Sequence, residues 1–347
     1  MSHLSSADHS PAPASLEDHH SGPLDVAAVR RALLARAAAR RAPGDPHAGT
    51  KDHHGADAGA SLDAVGAALV ALAEGFDHHA QLPSTQPLAA ASGRAWHVVS
   101  TDHQIAGRGR LGRSWESPAA AGIALSVVLP LEDGSDAVGA ALAASRTPQW
   151  GQVPLCVGAA VHDALGALGV PTGVKWPNDV LSRSTGRKLA GILCQVGDQG
   201  RSIVAGIGLN VWDAADRVAG IASRYGSVQA EAPSTGPDLR ERVVVEVLHA
   251  LAVWHCAWLA EGSAPAGADG GDSLTDRLAA VSLTVGQEVD LHLPDGTVQR
   301  GDAVGLAESG AVLVRVPTGE GGRGAGTEVR EFRAADVVHL RPAGGSP

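Results

Sequence analysis

Gly107-Arg108-Gly109-Arg110-Leu111-Gly112-Arg113-Ser114-Trp115 sets three arginines and three glycines within seven residues, with a tryptophan two places on. Glycine lets a backbone fold closely around a ligand. Arginine carries a permanent charge on a planar fork that matches carboxylate and phosphate. The stretch therefore reads as a loop that closes over a small anion. It is also spelled G-x-G-x-x-G, the dinucleotide fingerprint. That fingerprint must open a helix, because the pyrophosphate rests on the helix N-terminus. Here Ser114-Trp115-Glu116-Ser117-Pro118-Ala119 follows, then Gly122, and Pro118 and Gly122 oppose a continuous helix. The next apolar run, Ile123 to Leu131, is a strand. A loop between two strands rules against a dinucleotide site, and the arginines become the signal.

On the N-terminal side, Trp96-His97-Val98-Val99-Ser100-Thr101 is a short strand that leads through Asp102-His103-Gln104 into the loop. Before it, Leu62, Val65, Leu69 and Leu72 recur at helical spacing over 61–74, with Ser61 placed to cap that helix. Residues 75–95 read as a loop. On the C-terminal side, Leu155 to Leu168 is helical. Val174 to Trp176 then forms a strand that ends in the turn Pro177-Asn178-Asp179. Lys175 at a strand end, beside an asparagine and an aspartate, suits phosphate and metal-phosphate binding. Gly186-Arg187-Lys188 precedes a strand over 189–196. Its hairpin partner, 202–211, carries Gly206 and Gly208, where a ligand can lie against the backbone. Asp238 to Ala260 is a long helix, 262–272 a Gly/Ala/Asp linker, and short strands with close turns follow, as in a small SH3-like barrel.

The chain has 347 residues, enough for two or three domains. Its 27 basic and 37 acidic side chains give a net charge of −10, which argues against a general nucleic-acid or membrane surface, so an anion site must be local. Cys156, Cys194 and Cys256 lie far apart, which fits a reducing cytoplasm and no disulfide framework. No run of 18 apolar residues occurs, and the N-terminus lacks the basic-then-apolar pattern of a signal peptide, so neither a membrane span nor a leader is expected. Residues 1–23, rich in His, Ser, Pro, Asp and Ala, are expected to be a disordered tail. The pairs His19-His20, His53-His54 and His78-His79 lack partners at ligand spacing and predict no metal site. Residues 24–41 form a basic helix. Pro43, Gly44 and Pro46 follow where a helix-turn-helix would need its second helix, so packing on the next domain is expected and DNA binding is not.

Taken together, Gln104 followed by GRGRLGRSW, KWPNDVL at 175–181, RKLAGIL at 187–193 and GIGLNV at 206–211 resemble the biotin protein ligases, also called biotin–[acetyl-CoA-carboxylase] ligases, in order and spacing. The resemblance covers about residues 24–341. It implies an α+β fold: a catalytic domain like the class II synthetases and lipoate ligases, with a mixed sheet flanked by helices, over 24–262, and a C-terminal SH3-like barrel over 273–342. It implies a cytoplasmic ligase that uses ATP, with Mg²⁺, to make biotinyl-5′-AMP. The biotin is then passed to a lysine of the biotin carboxyl carrier protein of a biotin-dependent carboxylase. A lipoate or octanoate ligase is the alternative within the fold, and an inactive biotin- or nucleotide-binding regulator the alternative from another class.

The resemblance also implies roles for particular residues. Lys175 would lie between the biotin carboxylate and the α-phosphate, and with Arg110 would be catalytic. Gln104, Gly107, Arg108, Gly109, Gly206 and Gly208 would bind biotin. Arg113, Trp115, Asn178, Asp179, Lys188 and Asn210 would bind ATP, Asp179 also helping to hold Mg²⁺ through the phosphates. No metal ligands of the protein's own are implied. The family's Ser-Thr-Asn tripeptide, at a helix start, has two imperfect counterparts. Ser84-Thr85-Gln86 matches the letters better, but Pro87 and Gly93 leave little helix after it. Gly59-Ala60-Ser61 has the helix, and on that ground Ser61 is the choice for the biotin ureido contact. With one helix and no second near it at the N-terminus, a monofunctional ligase is expected, and a homodimer is compatible with the sequence. The arginine loop is expected to close over the adenylate and keep water from it.

Overall fold

In a computed structural model of the chain, the described residues are 22–41, 62–115, 119–131, 147–197, 200–213, 224–232, 236–261, 272–293, 296–318, 326–333 and 339–342. Most of the tail expected over 1–23, the pairs His19-His20 and His53-His54, and Ser61 lie outside them.

In chain order the elements are α1 (Val26–Arg41), α2 (Leu62–Glu74), β1 (Phe76–Leu82), α3 (Thr85–Ser92), β2 (Val98–Gln104), β3 (Gly107–Arg108), β4 (Ser114–Trp115), β5 (Gly122–Pro130), α4 (Val153–Ala167), β6 (Thr172–Lys175), β7 (Asp179–Ser182), β8 (Lys188–Val196), β9 (Ser202–Asn210), α5 (Val228–Glu231) and α6 (Leu239–Glu261). The C-terminal unit adds α7 (Leu274–Ala280), β10 (Glu288–His292), β11 (Val298–Leu306), β12 (Val312–Pro317), β13 (Thr327–Phe332) and β14 (His339–Pro342).

Seven strands form one sheet in the order β1-β2-β5-β9-β8-β7-β6. Only β1 and β2 run parallel. Parallel neighbours need a crossover, and α3 supplies it. Alternation along the strands divides the faces. Ile123, Leu125, Val127 and Leu129 of β5 enter the main core with α1, α2, α4 and α6. Val128, with Val99 and Val204, packs instead against Ala89 of α3. The helical layer thus covers one face, and α3 shields only part of the other. Helix α6 is long and apolar enough to cross a bilayer, but most of it is buried as the central core helix, with Trp254 and Trp258 each 1% exposed.

Residues 75–95 depart from the expected loop: they hold β1 and α3. Strand β1 is an edge strand with a polar outer row, so apolar alternation is absent. Pro87 falls in the first turn of α3, where its missing N–H has no intrahelical partner to lose. Gly93 adopts φ +60° and caps the helix rather than breaking it. His78, from the third histidine pair, bonds Ser100 Oγ at 2.8 Å and Asp102 at 3.1 Å, and Arg240 of α6 holds the other Asp102 oxygen. The expected basic helix is α1. It packs on α2 and α6, with Arg30 donating to the Phe76 carbonyl, Arg36 paired with Glu246 and Arg40 bonded to His249.

The five strands of the C-terminal unit form an antiparallel sheet in the order β13-β12-β11-β10-β14, as short strands with close turns require. Helix α7, which periodicity alone does not reveal in so short a segment, is capped by Ser273 and lies against α4, α6 and β11.

Candidate functional site

The open half of the α3 face carries a row of small residues. Register sets Thr101, Ala124, Gly208, Gly191, Asp179 and Lys175 side by side from β2 to β6. The adjacent row runs Val99, Ser126, Gly206, Leu193. Missing side chains at Gly191, Gly206 and Gly208 leave a depression, and the arginine loop arches beside it. The pocket there is lined by Gln104, Arg108, Gly109, Arg110, Arg113, Trp115, Lys175, Asn178, Asp179, Lys188, Gly206 and Gly208.

The loop is a small hairpin, β3 paired with β4, closed by Gly109 N–H donating to the Arg113 carbonyl at 2.6 Å. Gly107 lies beneath it, buried between the Trp115 carbonyl and the Gln104 amide, and any side chain would collide with both. The Trp115 indole rests on the bare floor: a Cβ on Gly208 would run into the ring, and one on Gly191 would come within 2.9 Å of it. Lys188 Nζ stands 5.4 Å from the ring centroid.

Cations converge on this floor. Arg110 Nη1 donates to Asn178 Oδ1 at 3.3 Å, while Asn178 Nδ2 donates to the Ile192 carbonyl at 3.1 Å. Burial pulls the Arg110 guanidinium below its ordinary value; Asp179 opposes that and Arg113 adds to it. Lys188 Nζ pairs with Asp179 Oδ1 at 2.7 Å. Lys175 ends β6, opposite Asp179 across a hairpin whose turn contains a cis Trp176–Pro177 peptide. Arg108 and Arg113 are exposed at the rim. In a chain of net charge −10, three arginines and two lysines line a single cavity.

The other end is amide and hydroxyl. Thr85 N–H donates to Gln104 Oε1 at 3.1 Å, and Thr85 Oγ1 lies 2.7 Å from Ser126 Oγ. Gln86 donates to the Leu193 carbonyl and packs on Gly206, where a Cβ would lie 2.7 Å from its Nε2. Ser84, Thr85 and Gln86 all line the pocket, at the start of α3. The ground for choosing Ser61, that it alone has a helix behind it, does not hold. Ser61 itself is outside the described residues, and the helix that follows it, α2, belongs to the layer on the opposite face.

Two other expectations are met differently. Gly107 shapes the pocket from below rather than lining it. Asn210 is not among the lining residues; its amide donates to the Gly226 carbonyl at 3.1 Å and the Lys188 carbonyl at 3.4 Å, fastening the segment that carries Tyr225 beside β8. Tyr225, Trp176 and Leu193 line the pocket without having stood out in the sequence. For Ser84 and Thr85 the signal was present: a capping serine, a proline in the first turn and a glycine after the last.

The Biotin/lipoate A/B protein ligase family matches residues 94–211, and the Biotin protein ligase C terminal domain matches residues 284–340. The biotin–[acetyl-CoA-carboxylase] ligase of Mycobacterium tuberculosis is 36% identical over 248 residues, 70% of this chain and 79% of that protein. The protein of the same name from Paracoccus denitrificans is 32% identical over 66% of this chain and 87% of its own length. In fold, the chain is similar to the Aquifex aeolicus biotin protein ligase solved in complex with biotin and ATP, with a TM-score of 0.58 and 24% identity over 78% of this chain and 100% of that one.

Proposed function

The chain belongs to the biotin protein ligase family, and on that premise we propose that it joins biotin to ATP as biotinyl-5′-AMP and then passes it to a lysine of a biotin carboxyl carrier protein. The observation that carries this reading is the pocket itself, whose five cations face a floor of small residues that ends in a row of neutral amides and hydroxyls. One end suits phosphates and a carboxylate, the other a polar, uncharged ring.

The first step brings a carboxylate oxygen to the α-phosphorus of ATP and releases pyrophosphate. Both reactants are anions, so fixed positive charge aimed at their meeting point lowers the barrier. Lys175, at the strand end, is assigned the place between carboxylate and α-phosphate. Arg110, anchored by Asn178, holds the phosphate that becomes the adenylate. Arg113 and Lys188 take the triphosphate and the leaving pyrophosphate, and Trp115 offers its outer face to the adenine. Arg108 and Gly109 cover biotin, while Gln104 with Ser84, Thr85 and Gln86 meets the ureido ring. In the second step the carrier lysine amine attacks the carbonyl carbon of the mixed anhydride, forming the amide as AMP leaves. Asp179 is the carboxylate in the pocket, and magnesium held through substrate phosphates and one such group would neutralise phosphate charge there.

Arg30, Arg36 and Arg40 of α1 are engaged within the protein, which supports a ligase that does not bind DNA. The cysteines Cys156, Cys194 and Cys256 are free thiols, in keeping with work in the cytoplasm.

ATP–pyrophosphate exchange tests the reading. Exchange should depend on biotin and not respond to lipoate. Lys175→Ala and Arg110→Ala should each slow it by ~100-fold or more, the scale of losing one preorganised charge-stabilising group. Near-normal exchange in either variant would remove that residue from its assigned role.

A further inference from the structure

Strand β6 is the last of the seven, and its free side should present unpaired backbone groups. That side is filled by the chain between α7 and β10. Val174 N–H donates to the Val281 carbonyl at 2.9 Å, and Leu283 N–H donates to the Val174 carbonyl at 2.8 Å. On the other flank of Lys175, Trp176 N–H donates to Thr284 Oγ1 at 3.0 Å. The Trp176 indole Nε1–H donates to the Gly310 carbonyl, also at 3.0 Å. Trp176 is 2% exposed, so water cannot replace either acceptor.

The Gly310 carbonyl is itself fixed. The turn between β11 and β12 packs against Gly151, so tightly that a side chain on Gly310 or Gly151 would strike the facing backbone. Gly310 holds φ +78°, which a larger residue adopts only with strain. Gln152 adds a bond to Thr275 of α7 at 3.0 Å. No residue of the C-terminal unit lines the pocket among the described residues. The contacts of that unit that come nearest the pocket are those on the hairpin that carries Lys175.

We propose that Thr284 and the Ser309-Gly310 turn are positioning residues for Lys175, so that the C-terminal unit sets the geometry of the reacting centre without touching substrate. The inference rests on the role given to Lys175 above. Displacement of a reacting group by about 1 Å costs on the order of 100-fold in rate, which gives a two-point clamp its consequence.

The test is biotin-dependent pyrophosphate exchange by the full-length protein, with kcat and the biotin KM measured separately for wild type, Thr284→Val and Thr284→Ser. Thr284→Val keeps the shape and loses the acceptor. It should lower kcat by about tenfold or more while the biotin KM stays within about twofold, because the amide end of the pocket is built elsewhere. Thr284→Ser restores the hydroxyl and should recover kcat to within about twofold of wild type. If Thr284→Val does not fold, Trp176→Phe keeps an aromatic ring, loses the indole N–H bond to Gly310 and should show the same kcat loss with the biotin KM again within about twofold. Wild-type kcat in the soluble variant, equal losses in the valine and serine forms, or a loss confined to KM would overturn the proposal. Absence of biotin-dependent exchange in the wild type would instead defeat the ligase reading.

Discussion

Gly208 and Gly191 face each other across β9 and β8, and the two side chains they lack make room for the Trp115 indole. Gly208→Val should therefore displace Trp115, raising the KM for ATP about tenfold or more while the fold is kept. Steady-state exchange with near-UV circular dichroism would show both effects, and an unchanged ATP KM would mean that Trp115 does not serve the nucleotide. At the other end, Thr85 joins Gln104 to Ser126. Thr85→Ala keeps the backbone bond to Gln104 but leaves the buried Ser126 hydroxyl short of a partner at a cost of about 1–3 kcal/mol, and the disturbed amide end should appear as a biotin KM raised by about tenfold. An unaltered KM would return the ureido contact to another segment. The cations of this site were legible because arginines and lysines at such spacing have few other uses in an acidic chain. The Ser84-Thr85-Gln86 tripeptide is legible as well, but Pro87 and Gly93 look like helix breakers until their positions make them a first-turn residue and a cap. Asn210, whose motif suggests a ligand contact, places its amide nitrogen on two backbone carbonyls.

At the scale of elements, α1 docks on α6 with the polar contacts Arg36–Glu246 and Arg40–His249 beside the buried Val29 and Leu33. Burial, reinforced by the positive charges of Arg36 and Arg40, lowers the His249 pKa from 6.5 to about 3. His249 is thus neutral in the folded protein at pH values where the unfolded chain is already protonated. Its contribution to stability is complete above about pH 6.5 and is lost as pH falls toward about 3, with a slope of up to about 1.4 kcal/mol per pH unit. Urea titrations at pH 5 and pH 7 should show His249→Gln losing less stability on acidification than wild type; equal losses would contradict the assignment. Asp102 adds to the same acid lability. Burial acts to raise its pKa, but hydrogen bonds from His78 and Arg240, with their charge, outweigh it and hold the carboxyl below its ordinary value. Helix α6 and the hairpin β8–β9 follow directly from apolar periodicity, whereas β1 does not, because an edge strand needs only one apolar neighbour and Asp77, His78, His79 and Gln81 obscure the alternation.

For the molecule as a whole, the two matched regions correspond to the sheet domain and the smaller antiparallel unit. The sequence announced each separately through its own motifs and turns. Their junction stayed hidden, because Val174 meets Val281 and Leu283 through backbone atoms far apart in the chain, the Trp176 indole meets a backbone carbonyl at Gly310, and backbone partners leave no mark in side-chain type. The chain's net charge is −10, yet five cations line the pocket among the described residues, a distribution that reserves a strong local field for anions.

The central claim is tested most directly by intact-mass spectrometry of a biotin carboxyl carrier domain incubated with this protein, biotin and MgATP. The expected result is a mass increase of a single biotin, mapped to one lysine and absent when ATP is withheld or Lys175 is replaced by alanine. A carrier that stays unmodified while the protein is folded, or that is modified equally by the Lys175→Ala variant, would contradict the account.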